Sequence, residues 1–67
     1  MTKERIKQRI AEIKRLATGD YEEAHVREDE LYLEFIGFVA ENPGVDFSEM
    51  AKLVLSVSRI EFARWCA

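Results

Sequence analysis

Cysteine, histidine, proline and glycine are all scarce in this chain of 67 residues: one Cys, one His, one Pro and three Gly. A lone Cys66 excludes an internal disulfide. One Cys with one His, His25, cannot supply the four ligands of a structural zinc site. So few turn-forming residues leave little material for a many-stranded β fold. Long apolar runs are missing too: the most apolar stretch, 31–40, is interrupted by Glu34 and falls well short of the about 20 residues that span a bilayer. The N-terminus is charged with no apolar stretch behind it, so neither a secretory signal nor a membrane segment is expected. A single thiol without a targeting segment predicts a reducing cytoplasm. With no His or acid flanking it, Cys66 reads as a small hydrophobe and not as a nucleophile.

What is present is a folded composition, 48% hydrophobic and 34% charged, too apolar for a disordered chain. A chain of this size buries only about 60% of its unfolded surface, so tight helix packing or association with a partner must supplement its core. The net charge of −3 argues against general nucleic-acid binding, but the charges are segregated. Residues 1–18 hold six basic residues against Glu4 and Glu12; residues 19–49 hold ten acids against Arg27 alone; residues 50–67 hold three basic residues against Glu61. A basic arm beside an acidic centre can pair within the chain, pair between chains or contact phosphate.

Helical periodicity organises the whole sequence. The first helix is expected over about 2–18, with Ile6, Ile10, Ile13 and Ala17 in one narrow seam flanked by Arg9 and Leu16 on one side and Lys7 and Lys14 on the other. Gly19 reads as its left-handed stop. Asp20 with Glu23 caps a second helix over about 21–41, which Asn42-Pro43-Gly44 ends. Asp46 with Glu49, and Val45 with Met50, mark the start of a third helix, about 47–56. Ser58 with Glu61, and Val57 with Phe62, predict a fourth, about 59–66, against the alternative of one continuous helix. The expected fold is therefore all-α: a single domain, a compact three- to four-helix bundle with helix two central.

Helix two has an odd face. Leu31, Ala24, Phe38 and Val39 project within about 60° of Phe35, and Glu28 falls about 20° from that centre, where an apolar residue belongs. Tyr21, His25, Asp29 and Tyr32 sit beside it and complete a polar cluster. A carboxylate buried without a partner costs several kcal/mol or takes up a proton, so Glu28 needs company: Arg9, Arg59 or Arg64, a tyrosine hydroxyl, or His25. One reading is a structural knot in which an arginine from a neighbouring element pairs with Glu28 and sets register. Another is a metal centre of His25, Glu28 and Asp29, because Glu22-x-x-His25 has the spacing of carboxylate-bridged helical sites. Glu22, however, projects about 140° away from the core face.

The opposite side of the same helix carries Val26, Leu33, Gly37 and Ala40, so its C-terminal half is apolar nearly all round. This stripe is expected to be buried within the monomer or to serve as a surface for self-association. Gly37 costs about 1 kcal/mol against alanine in a helix interior, which suits close approach of another backbone. Phe35, Phe38 and Phe62 read as core residues. Trp65 reads as core or as an exposed interface anchor.

The pattern Asp20-x-x-x-Ala24-His25-x-x-Glu28-Asp29-x-Leu31, with Phe35-Ile36 and the closing Ile60-Glu61-Phe62-Ala63-Arg64-Trp65, resembles small helical proteins of unassigned function from phages, prophages and other bacterial mobile elements, over about residues 20–66. The resemblance implies a bacterial or phage cytoplasm and a non-enzymatic accessory role, and it brings no catalytic residues. Nothing in the chain pairs a nucleophile with a base or cradles phosphate on a glycine loop. The expected function is that of a small interaction protein without cofactor that binds a protein partner or itself as a homodimer. The alternatives are metal binding at His25, Glu28 and Asp29, and nucleic-acid contact through the basic first helix, with Lys3, Lys7 and Lys14 on the phosphates.

Overall fold

The computed structural model describes residues 1–62 and 64, and every regular element in them is helical: α1 (Lys3–Leu16), α2 (Tyr21–Glu41), α3 (Ser48–Leu55) and a 3₁₀ turn, Ser56–Arg59. Thr2 caps α1, its hydroxyl accepting the Arg5 N–H at 3.1 Å. Ile6, Ile10 and Ile13 are all buried, as the narrow seam requires. Gly19 is not the left-handed stop expected of it; Gly44, at φ +85°, is the one residue with positive φ among those described. Instead α1 tightens at its end, the Leu16 carbonyl accepting from the amides of Gly19 (3.1 Å) and Asp20 (2.7 Å). That bend places Asp20 to cap α2, its carboxylate accepting the Glu23 N–H at 3.2 Å.

Helix α2 ends where Asn42 turns its side-chain amide back onto the Phe38 carbonyl, 2.8 Å away. The start of α3 differs from expectation. Asp46 accepts from the amide (2.9 Å) and hydroxyl (2.5 Å) of Ser48, two residues ahead, which makes an Asx turn and leaves Phe47 at the cap position. These bonds hold the Asp46 carboxyl below its usual range. Glu49 does not reach back to close a capping box but pairs with Lys3 of α1.

The fourth helix, expected over 59–66, is absent among the described residues. The chain makes the 3₁₀ turn and then straightens, Ile60 lying at φ −74°, ψ +122°. The hydroxyls explain it: Ser58 donates back to the Leu55 carbonyl (2.7 Å) and Ser56 to that of Leu53 (2.6 Å), so neither is free to cap a helix ahead. Ala63 and residues 65–67, with the expectations for Trp65 and Cys66, lie outside the described residues.

Helix α1, and not α2, is the central element. It packs along both α2 and α3, whereas α2 and α3 meet over a short stretch. The core is Ile6, Ile10, Ile13, Leu31, Val54 and Val57, with Tyr32, Phe35, Met50, Leu53, Ile60 and Phe62 packed against it. The Phe38 and Phe47 rings meet at a tilt of 52°, their centres 4.9 Å apart. Gly37 is exposed, and a Cβ built on it would meet nothing within 4 Å. No backbone of the same chain approaches it, so burial of this face within the monomer is overturned. Gly37→Ala is accordingly expected to stabilise the monomer by about 0.5–1 kcal/mol, since alanine restricts the unfolded chain and fits the helix. Urea unfolding at low protein concentration measures it.

Candidate functional site

Glu28 lies where helical projection puts it, on the inward side of α2, and its residue is 3% exposed. Its partner comes from the chain beyond the 3₁₀ turn. Arg64 Nε donates to Oε1 and Oε2 at 3.0 and 3.1 Å, and Nη2 donates to Oε2 at 2.9 Å. The same guanidinium also satisfies the end of the turn: Nη2 donates to the carbonyls of Ile60 (2.8 Å) and Val57 (3.2 Å). Its face covers the Phe62 ring at 3.8 Å, a cation–π contact. Charge-assisted donation to a carboxylate from two arms of a planar fork is the strong form of this pair. Donating to the Glu28 carboxylate raises the Arg64 pKa above its usual value. Arg64 thereby gives the Ile60 carbonyl a donor and adds a second to the Val57 carbonyl, which already accepts the Ile60 N–H at 3.0 Å.

The other members of the expected cluster divide. His25 Nδ1 stands 3.5 Å from Glu28 Oε1, and Nε2 stands 3.3 Å from Asp29 Oδ2. Nδ1 is buried and makes no hydrogen bond among the described residues. Tyr32 is half-buried beside them; burial first, then the negative charge of Glu28, pushes its phenol pKa up. Tyr21 is 47% exposed at the start of α2 and has no hydrogen-bond partner among the described residues. Arg9, another candidate for Glu28, spans instead to Glu34, with Nη1–Oε1 at 2.5 Å. Arg27, lying between α1 and α2, contacts Glu23 (2.9 Å), Glu30 (3.3 Å) and Glu12 (3.6 Å).

Ligand-capable atoms of His25, Glu28 and Asp29 come within 4.8 Å of one another. The imidazole, however, turns a different nitrogen to each carboxylate, and both Glu28 oxygens are already held by Arg64. A cation there would have to displace the arginine from a buried carboxylate. The arrangement is an ion-pair knot between α2 and the segment after the 3₁₀ turn.

The candidate interface residues behave differently. Leu33 is 71% exposed, Val26 48%, and Gly37 and Ala40 are exposed beside them. Ile36, 63% exposed, extends the same side and was not among the interface residues expected from the sequence.

Two expectations follow. Removing the cation while keeping the bulk, in Arg64→Met, strands Glu28 and costs about 3–5 kcal/mol at neutral pH. Chemical denaturation of the variant beside the wild type at that pH reads it. Tyr32, its pKa raised from 10.0, favours the folded state while neutral. That contribution is complete below the ordinary value and is lost as pH rises through the raised one. Phenolate absorbance of Tyr21→Phe should therefore show Tyr32 titrating above a free tyrosine while the chain is folded. No family model matches this chain, and neither the curated proteins nor the solved structures hold one that matches it.

Proposed function

We propose that this chain is a compact three-helix bundle that works by binding another protein surface, without chemistry of its own, through the outward side of α2. The observation that carries the reading is the apolar stripe of Val26, Leu33, Ile36 and Ala40, open to solvent over the length of α2. Single exposed apolar residues are ordinary, whereas several aligned on one helix face mark contact surfaces. Gly37 lies among them with open space above it, so another backbone can approach closely. Helix α2 is tied to the rest of the chain by the Glu28–Arg64 knot on its inner side and by Arg9–Glu34 on its flank. No described helix is long and apolar enough to cross a membrane. An accessory role in a phage or mobile element is proposed on the resemblance alone.

A photo-reactive phenylalanine analogue placed at position 36 tests the reading. Irradiation in the producing cells is expected to give discrete protein adducts, and the same analogue at Thr18, exposed at the other end of the molecule, is expected to give none. Equal labelling from both positions, or none from either, would remove the proposal.

A further inference from the structure

The cleft between α1 and α3 is another open surface among the described residues. Two adjoining depressions of about 430 and 280 Å³ share Lys7 and Leu53. Their floor is apolar (Ile10, Ala11 and Leu53) and lysines rim them: Lys7, Lys14 and Lys52, with Lys3 at one end already paired with Glu49, the one acid of the lining. Lys14 and Lys52 have no acidic partner among the described residues, and Lys7 has only Glu4, at 3.9 Å on the exposed surface. Such a groove fits an acidic helix with an apolar strip. It lacks the aromatic side chains on which nucleic-acid bases stack.

The outward face of α2 has that chemistry. Glu22, Val26, Asp29 and Leu33 share one side of the helix and are exposed, and Glu22 has no basic partner among the described residues. The spacing agrees as well. Glu22 and Asp29 are seven residues apart with Val26 between them, and Lys7 and Lys14 are seven residues apart with Ala11 between them. Both pairs span about 10 Å along a helix axis. Within one chain the two surfaces cannot meet, because α2 turns its inner side to α1 and its outer side away.

We infer that the outward face of α2 docks, head to tail, into the lysine-rimmed groove between α1 and α3 of a second copy of this chain, Glu22 and Asp29 against Lys7 and Lys14. This rests on the reading of α2 as a contact surface and names its occupant. The two surfaces differ, so each contact leaves one groove and one face free. Association of this kind continues into longer assemblies unless its rotation closes a ring.

Sedimentation velocity from micromolar to millimolar concentration, at low and high salt, tests it. The wild type is expected to form a series growing past the dimer, weakened at least tenfold by high salt because the paired charges are exposed and screened. Lys7→Glu with Lys14→Glu, and separately Glu22→Lys with Asp29→Lys, should each remain monomeric. Combining all four changes should restore association, since the charges are exchanged; circular dichroism checks that each variant is folded. A closed dimer indifferent to Lys7→Glu and Lys14→Glu would overturn head-to-tail docking in favour of α2 meeting α2. A wild type monomeric throughout would overturn self-docking altogether. Adducts to other proteins from position 36 would then still support α2 as a contact surface, so the two ideas fail separately.

Discussion

One carboxylate governs how this chain finishes its fold. Glu28 stands among side chains that exclude water, and an ionised group there is tolerated only with a cation and hydrogen bonds to complete its shell. Arg64 supplies both. In doing so it fixes where the segment after Arg59 must run, because the guanidinium has to lie against α2 while it collects the Val57 and Ile60 carbonyls. The pair adds less to stability than an apolar replacement of the same shape could. What it provides is geometry: of the extended paths open to an irregular segment, the one that brings Arg64 to Glu28 is selected.

Much of this was legible in the sequence. Spacing of Ile6, Ile10 and Ile13 identified α1 and its buried side, and Asp20 at one end with Asn42-Pro43-Gly44 at the other bounded α2. Projection singled out Glu28 and restricted its partner to a few groups, Arg64 among them. The choice between Arg9 and Arg64 was not legible, because it depends on how far the chain travels after α3. Periodicity reports which side of a helix is apolar and says nothing of how many neighbours cover it. That is why α2, apolar nearly all round in its second half, read as the central helix. The narrow seam of α1 did not announce that this helix packs along both of the others.

Hydroxyl direction was the other hidden variable. A serine at position 58 followed by Glu61 has the pattern of a helix start, yet the same hydroxyl can bond a carbonyl behind it, and here it does. Asp46 shows a related choice, satisfying the amide two residues on instead of three. In both cases the local alternatives differ by little in energy, and tertiary demands decide: Lys3 takes Glu49, and Arg64 draws the chain out straight.

The isoleucines of α1 have a thermodynamic consequence. Branched at Cβ, they hold few rotamers even in the unfolded chain and so surrender little side-chain entropy when they are packed. They also make α1 a poor helix in isolation, since short helices depend on tertiary contact. The element that contacts both neighbours thus depends on them to persist. Loss of α2 or of α3 strips one flank of it, and partly folded states have little to stand on. Melting in a single all-or-none step is the behaviour this arrangement favours.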